Sequence, residues 1–295
     1  MEVKAARLFL LVLMIAACRQ MEQPSLDEVP SSSGQVYTLT VQASKGNPGV
    51  KALDLVNDGT RLKVYWKDSE KVKVFKDGSL VGLLDVVPDP GEMPSSATLR
   101  GDISVSDLAV GDEFIMIIPR ETWDYTGQTG ALTGEGSIED TYAYATATVA
   151  VTAIDDGAVV TGDAHFTNSQ SIYRFAFTLE GSPLPIKDFI LSDANGSLVR
   201  SREFTSGTWV SSFGYLGVTP VSYTSEPLYV SLRNDDTAAD TYNFILTGAS
   251  DELVLASQAI PASVLSVPGK LINAAGITAS QPDFSPESGE TTTAL

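Results

Sequence analysis

Hydrophobic and polar residues alternate along much of the chain after Val36. In VYTLTVQA, the residues Tyr37, Leu39, Val41 and Ala43 are spaced two apart, with threonine or glutamine between them. Because successive side chains of a β-strand point to opposite faces, this spacing predicts a strand with one buried face. The same period predicts strands in RLKVYW (Leu62, Val64, Trp66), ATATVAVTA from Ala145, YRFAFTL from Tyr173 and YNFIL from Tyr242.

Short turn sequences separate these runs. The dipeptides that lie between β-rich segments are Asp58-Gly59, Asp77-Gly78, Asp156-Gly157 and Asn195-Gly196. Both central residues of a type I′ hairpin turn need positive φ, which Gly, Asn and Asp tolerate best. No amphipathic helical pattern of three turns competes with the strands. The sequence therefore predicts an all-β protein built of antiparallel sheets.

The N-terminus differs from the rest of the chain. Lys4 and Arg7 precede ten apolar residues, Leu8 to Ala17, a stretch too short to span a bilayer as a helix. A basic segment followed by a short apolar segment is typical of a secretory signal peptide, which we predict over residues 1–17. No later stretch holds eighteen consecutive apolar residues. Export from the cytoplasm is therefore predicted.

Cys18 is the only cysteine among 295 residues. In an exported protein a lone cysteine can be a reactive thiol or an intermolecular disulfide partner. Its place directly after Ile15-Ala16-Ala17, however, fits the lipobox of a bacterial lipoprotein, whose cysteine is acylated (palmitate being one such acyl group) and becomes the first residue after cleavage. Two acyl chains suffice for stable anchoring. We therefore predict lipidation at Cys18.

Composition predicts the organisation that follows the anchor. Residues 18–35 are polar and contain two prolines, which favours a flexible tether. The turn at Asp156-Gly157 suggests a boundary between an N-terminal β-sandwich over residues 36–157 and a C-terminal one over residues 158–279. Residues 280–295 are poor in large apolar residues and rich in Ser, Thr, Pro and Glu, so we predict a disordered acidic tail.

Charge and residue inventory argue against several functions. The chain has 19 basic and 37 acidic residues, a net charge of −18, which disfavours nucleic acid as a partner. It has one histidine, His165, and no cysteine after Cys18, so a zinc site of His and Cys ligands is excluded within one chain. A serine nucleophile with His165 stays possible, but no G-x-S-x-G motif accompanies it. We expect a solvent-facing strand histidine, no enzyme activity and no cofactor.

Acidic residues leave two further alternatives open. A pair of carboxylates can hydrolyse a glycosidic bond without histidine, but the acidic residues are so many that no pair stands out. Asn234 to Asp240 offers oxygens for calcium, yet it lacks the central glycine and the terminal glutamate of an EF-hand loop. We interpret it as a solvated hairpin loop.

Two features could mediate adhesion. Arg100-Gly101-Asp102 spells an integrin-recognition tripeptide, but the flanking TLRGDISVSDL favours a strand within the fold over an exposed loop tip. The aromatic residues that could contact a glycan or a host protein are Trp123, Tyr125, Trp209 and Tyr215. Such aromatics more often belong to the core.

The order of these features resembles the fimbrillin superfamily of anaerobic Gram-negative bacteria. The lipobox, the tether and the first strand are followed by WKDSEKVKVF (residues 66–75), where family members usually have Gly-Asp in place of Ser69-Glu70. The segment IIPRETWDYTGQTGALTG contains the family's Pro119, Tyr125, Gln128 and Gly130 positions. HFTNSQSIYRFAFTLEGSPLPIKDFILSDANGSLV resembles the opening of the second family domain, and PGKLINAAGI its closing strand. The similarity covers residues 18 to about 279.

This resemblance implies two transthyretin-like β-sandwiches and a role in surface fimbriae. Family subunits reach the outer membrane as lipoproteins. A protease then removes the lipidated segment with the first strand, and a strand from another fimbrial subunit fills the vacated groove. The partners implied are other fimbrial subunits, the outer membrane through the lipid, and a host or bacterial surface ligand. The alternative is a surface lipoprotein that binds glycan or host protein without polymerising.

Carried over to this chain, the resemblance implies that Tyr37, Leu39 and Val41 are the side chains that the first strand inserts into the groove. In well-characterised members the cut follows an arginine in the loop after that strand. Here SKGNPGVKAL contains only Lys45 and Lys51, and the next arginine is Arg61. These three residues are the predicted processing candidates, and a subunit left uncut would stay anchored by lipid.

Overall fold

A computed structural model describes residues 34–46, 62, 64–233, 241–259 and 268–282. Almost all regular structure in these residues is β-strand, with one helical turn at Ile138–Thr141. The prediction of an all-β protein is confirmed, while the transthyretin-like form of two sandwiches stays a prediction. None of the helical structure in the described ranges is long and apolar enough to cross a membrane. Cys18 and the predicted signal peptide lie outside the described residues.

The first sheet contains eight strands and closes on itself. They are β1 (Gln35–Lys45), β2 (Lys71–Lys76), β3 (Ser79–Pro88), β4 (Ser96–Val105), β5 (Glu113–Ile118), β7 (Ala145–Asp155), β8 (Ala158–Thr161) and β9 (Ala164–Asn168). The order is β4-β3-β2-β5-β7-β8-β1-β9, and β1 also pairs with β4. Apolar side chains of all eight strands form the first core, which includes Trp66 and Phe166 in edge-to-face contact at 5.2 Å.

The second sheet is built from the C-terminal part of the chain. Its strands are β10 (Ser171–Leu179), β11 (Ser182–Pro183), β12 (Ile186–Asp193), β15 (Leu216–Val218), β16 (Leu228–Leu232), β17 (Thr241–Gly248), β18 (Leu253–Ala259) and β19 (Leu271–Ser280). The order is β11-β10-β19-β18-β17-β12-β15, with β16 paired to β10. Aromatic rings fill its core, and Phe175 contacts Phe244 with ring centroids 5.1 Å apart.

A third, smaller sheet joins the two halves. It consists of β6 (Thr122–Asp124), β13 (Val199–Thr205) and β14 (Thr208–Phe213) in the order β14-β13-β6. Because β6 precedes the last strands of the first sheet, this pairing ties the first half of the chain to the second. Trp123 on β6 packs against Trp209 on β14, with ring centroids 3.8 Å apart, and stacks on Tyr144 at 5.4 Å.

Two hairpin turns meet tip to tip at the same junction. Asp77 and Gly78 connect β2 to β3 with φ of 51° and 79°, and Ser206 and Gly207 connect β13 to β14 with φ of 50° and 84°. A Cβ built on Gly78 would lie 2.3 Å from the backbone nitrogen of Gly207. Only glycine therefore allows both the positive φ and this close approach.

Gln128 completes the second sheet with a residue from the first half of the chain. Its carbonyl oxygen accepts a bond from the Thr219 N–H at 2.9 Å, next to β15. Its side-chain amide donates to the Ser231 carbonyl at 2.9 Å and accepts from the Ser231 N–H at 2.7 Å, on β16. The same amide also donates to the Tyr125 carbonyl at 2.8 Å. Gln128 thus connects two strands that do not otherwise pair.

The strand predictions hold for most of the alternating runs. Those that coincide with observed strands are VYTLTVQA (β1), ATATVAVTA (β7), YRFAFTL (β10) and YNFIL (β17). RLKVYW was predicted wrongly, because Leu62 and residues 64–67 lie outside any strand. Leu62 packs in the second core and Trp66 in the first. The alternation here therefore reflects burial against two different cores.

Two of the four turn predictions are confirmed as hairpins. Asp77-Gly78 and Asp156-Gly157 have positive φ at both residues and connect paired strands, as predicted. Asn195-Gly196 is a turn but not a hairpin, since β12 pairs with β15 and β17, whereas β13 pairs with β6 and β14. The Asp193 carboxylate accepts a bond from the Ser197 N–H at 2.6 Å and shapes this turn. Asp58-Gly59 lies outside the described residues.

The predicted boundary between residues 157 and 158 stays a prediction. Strands β8 and β9 hydrogen-bond to β7 and β1, so the first sheet continues to Asn168. The predicted tail begins at Ser280, the last residue of β19, and is described only to residue 282.

Tyr142 gives the junction a measurable pH dependence. Burial raises its pKa to about 12, and its hydroxyl donates to the Thr126 carbonyl at 2.6 Å. Since the unfolded value is about 10, the neutral phenol stabilises the fold below pH 10, and this contribution is lost as pH rises to about 12. We expect Tyr142→Phe to lower the free energy of unfolding by about 1 kcal/mol at neutral pH. The difference between the two proteins should shrink between pH 10 and 12, because only the wild-type protein loses the contribution of the phenol. Urea unfolding of the wild-type and Tyr142→Phe proteins across that pH range measures this difference. A difference that stays constant with pH would contradict the prediction.

Candidate functional site

The first strand occupies a groove in the first sheet. β1 pairs antiparallel with β4 through ten residue pairs, from Gln35↔Val105 to Ser44↔Ser96. On its other side it runs parallel to β8 and β9. β1 is therefore held by backbone hydrogen bonds on both edges, although the strand that follows it in sequence, β2, is not its neighbour.

The inward side chains of β1 are buried in the first core. Tyr37, Leu39 and Val41, the three predicted groove residues, are 8%, 0% and 2% exposed. Ala43 and Lys45 continue the same face and are also buried. Burying side chains of the size of Leu and Val stabilises the fold by about 1.5 to 3 kcal/mol each. The first strand is thus an integral part of this core.

The outward side chains of β1 make a polar ladder with β4. Thr38 donates to Asp102 at 2.9 Å, and Gln42 donates to Thr98 at 3.1 Å. The Arg100-Gly101-Asp102 tripeptide lies inside β4, as the flanking sequence predicted. A Cβ on Gly101 would lie 2.6 Å from the Leu83 carbonyl oxygen. The glycine of this tripeptide therefore permits close strand packing.

Lys45, one of the three processing candidates, is buried at the end of β1. Its ammonium contacts both carboxylate oxygens of Glu70 at 2.5 and 2.7 Å and donates to the Tyr65 carbonyl at 3.1 Å. It also lies over the Trp66 ring, 4.2 Å from the centroid. Burial lowers the pKa of Lys45, and the Glu70 carboxylate opposes this shift. The other two candidates, Lys51 and Arg61, lie outside the described residues.

The segment around Tyr65 that encloses this ammonium is itself anchored. The Tyr65 hydroxyl donates to Glu139 at 2.5 Å, and Lys67 forms an ion pair with the same carboxylate at 2.6 Å. The hydrogen bond to Glu139 raises the pKa of Tyr65 to about 12. These contacts fix the segment to the helical turn at Ile138–Thr141.

His165 lies on the solvent face of β9, as predicted. Its Nδ1 is 2.8 Å from the Ser44 hydroxyl, across the parallel pair of β1 and β9. The histidine therefore contributes to the pairing of the first strand. In the portion of the chain that the structure describes, no group of three His, Cys, Asp or Glu side chains is arranged to hold a metal ion. The Asn234 to Asp240 segment lies outside that portion.

The four aromatic candidates occupy different environments. Trp123 and Tyr125 are buried, at 1% and 0% exposure, and belong to the second core. Trp209 is half-buried against the same core, with the Arg202 guanidinium 5.2 Å from its ring. Tyr215 is exposed at 59%, with the Arg200 guanidinium 5.9 Å away. Only Tyr215 presents most of its surface to a ligand.

Two properties of Lys45 were not predicted from the sequence: its ion pair with Glu70 and its burial. Glu70 was noted only as a departure from a family pattern, yet it pairs with Lys45, 25 positions earlier. The buried state of Lys45 was also missed. The available signal was the alternation itself, since Lys45 follows Ala43 by two residues and continues the inward face.

Comparison with known proteins gives structural similarities only. No model of a protein family matches the sequence, and no curated protein sequence matches it. The chain is similar in structure to a candidate cell adhesion protein from Bacteroides ovatus, at 12% identity and a TM-score of 0.45, over 84% of this chain and 96% of that one.

It is also similar to a fimbrial assembly protein from Parabacteroides distasonis, at 10% identity and a TM-score of 0.38, over 81% of this chain and 90% of that one. A third similar structure is a C-terminally truncated tip fimbrial protein from Porphyromonas gingivalis, at 10% identity and a TM-score of 0.39, over 83% of this chain and 98% of that one.

Proposed function

We propose that the chain is a structural or accessory subunit of surface fimbriae, exported as an outer-membrane lipoprotein through Cys18. Assembly proceeds by exchange of the first strand for a strand of another subunit, or the uncut protein is retained as an anchor. The observation that carries this proposal is the placement of β1, which fills a groove between strands distant in sequence and contributes its own side chains to the core.

The energetics of the groove support exchange by strand addition. An incoming strand restores the hydrogen bonds to β4 and supplies side chains in place of Tyr37, Leu39 and Val41. Three such side chains correspond to about 5 to 9 kcal/mol before ordering costs. A strand lost from this groove leaves exposed core, so a replacement strand binds with a large driving force.

Burial of Lys45 favours the other two candidates for the processing site. A protease needs an accessible, extended segment, and the Lys45 side chain is 4% exposed and paired with Glu70. We therefore propose cleavage after Lys51 or Arg61. Either cut would release β1 whole, together with the predicted lipid at Cys18.

Sequencing the N-terminus of the surface-exposed protein tests this function. Strand exchange after these cuts predicts a terminus at residue 52 or 62 in purified appendages, whereas an anchor predicts a start at acylated Cys18. A Cys18→Ser variant, expressed in parallel, is expected to lose acylation and outer-membrane retention in both cases. Abundant surface protein with no peptides from residues 64–282 in the appendages would overturn the fimbrial role. That result would favour the non-polymerising surface lipoprotein, whose binding to glycans is then measured on a glycan array.

A further inference from the structure

The groove of β1 ends in a pocket that holds an ammonium group. Around Lys45 Nζ lie the Glu70 carboxylate at 2.5 and 2.7 Å, the Tyr65 carbonyl at 3.1 Å and the Trp66 ring face at 4.2 Å. Carboxylate, carbonyl and aromatic face are the three groups that attract a primary ammonium. We call this the lysine cage, defined by Tyr65, Trp66 and Glu70.

The residues of the lysine cage also make contacts with parts of the chain other than β1. All three cage residues belong to one segment, which β1 merely contacts. The backbone N–H of Trp66 donates to the Pro94 carbonyl at 2.8 Å, and the Trp66 ring packs edge-to-face on Phe166. Glu70 accepts a bond from the Lys67 N–H at 2.9 Å. These contacts hold Trp66 and Glu70 in place around the ammonium.

A strand without lysine at this position would leave the cage unmatched. Its apolar side chain would leave the Tyr65 carbonyl without the ammonium and the Glu70 carboxylate with only the Lys67 N–H, and the loss of a charge-assisted hydrogen bond is costly. The cage therefore discriminates among strands that offer equally good apolar side chains.

We propose that the lysine cage selects the strand that fills this groove, by requiring lysine at its fifth inward position. The recognised partner is an extended strand with four apolar residues at alternate positions followed by lysine, as in Tyr37, Leu39, Val41, Ala43 and Lys45. This inference rests on the proposed function, since it specifies the strand that replaces β1.

The chain itself contains this pattern only once. No other lysine in the sequence is preceded by apolar residues at two, four, six and eight positions before it. Residues 280–295 contain no lysine or arginine at all. A protein that has lost β1 must therefore take its replacement from another chain, either the first strand of a second copy or a different subunit with this pattern.

Peptide exchange into nicked full-length protein tests the proposal. A specific protease sequence inserted between Gly49 and Val50 allows cleavage with both fragments present, and a labelled peptide of residues 34–46 then competes with the resident strand. We expect a Lys45→Met peptide to be retained at least about tenfold less than the native peptide. A Gln42→Met peptide, altered on the outward face, is the matched control and should be retained like the native one.

A double-mutant cycle in the intact chain separates a failure of lysine selection from a failure of strand exchange. In the intact chain, Lys45→Met, Glu70→Gln and the double variant are compared by thermal unfolding, and we expect the two single shifts to be strongly non-additive. Equal retention of the native and Lys45→Met peptides, or an additive cycle, would overturn the cage as a selector. If no peptide exchanges, including the native one, strand exchange fails and selection of an incoming strand fails with it. The intact-chain cycle then still measures the lysine preference.

Discussion

Replacing Gln128 by leucine is expected to destabilise the protein by about 3 to 5 kcal/mol. The side chain is 1% exposed and makes three hydrogen bonds, two of them to the backbone of Ser231 and one to that of Tyr125. Leucine fills a similar volume but leaves the Ser231 N–H and two carbonyl oxygens without this partner. Each buried polar group left unsatisfied costs about 1 to 3 kcal/mol, which burial of the leucine offsets only in part.

Chemical denaturation measures the loss, and Gln42 supplies the control. Gln42 is exposed on β1 and donates one side-chain bond, to Thr98 at 3.1 Å. Gln42→Leu should change the free energy of unfolding by about 0.5 kcal/mol or less. The role of Gln128 in closing the second sheet would be contradicted if both variants lost the same small amount.

Replacing Gly78 by alanine should cost about 3 kcal/mol or more. Two effects add at this position. The first is the positive φ of 79°, which disfavours any residue with a Cβ by about 1 to 2 kcal/mol. The second is steric, because the new methyl group would lie 2.3 Å from the Gly207 nitrogen and 2.5 Å from the Ser206 carbonyl carbon. Both are backbone atoms, so the two hairpin turns must separate.

Gly157 separates the effect of positive φ from the steric effect. It occupies the corresponding position of the β7–β8 turn with φ of 82°, and no atom lies within 4 Å of a Cβ built there. Gly157→Ala should therefore cost only the conformational strain, about 1 to 2 kcal/mol. Urea midpoints of the two variants give the comparison, and equal shifts would mean that the contact between the hairpin tips contributes nothing to stability.

Local sequence patterns predicted the elements whose cause is local. The alternation in residues 36–43 identified β1 and its buried face, and Asp77-Gly78 identified a turn whose backbone requires glycine. Such patterns predict the fold class and the inward residues of the first strand, because side chains of a strand alternate between the buried and the exposed face of a sheet with a period of two.

Long-range contacts explain what the sequence did not reveal. In RLKVYW the alternation is real, but Leu62 and Trp66 are buried in different cores, and periodicity alone does not distinguish that from a strand. The family resemblance made Lys45 a processing candidate because SKGNPGVKAL was predicted to be the loop after the first strand, whereas Lys45 is the last residue of β1. Its partner, Glu70, is brought to it only by the folded chain.

Gln128 also has a consequence for the order of folding. Its partner Ser231 is 103 residues further along the chain. During synthesis or export, the segment with Trp123 and Gln128 emerges long before the strands that cover it, and contacts of such sequence separation form slowly. The aromatic side chains around Trp123 therefore stay exposed until β13 to β16 have been synthesised or exported. The interval between the two halves is the period in which a nascent molecule is most exposed to aggregation.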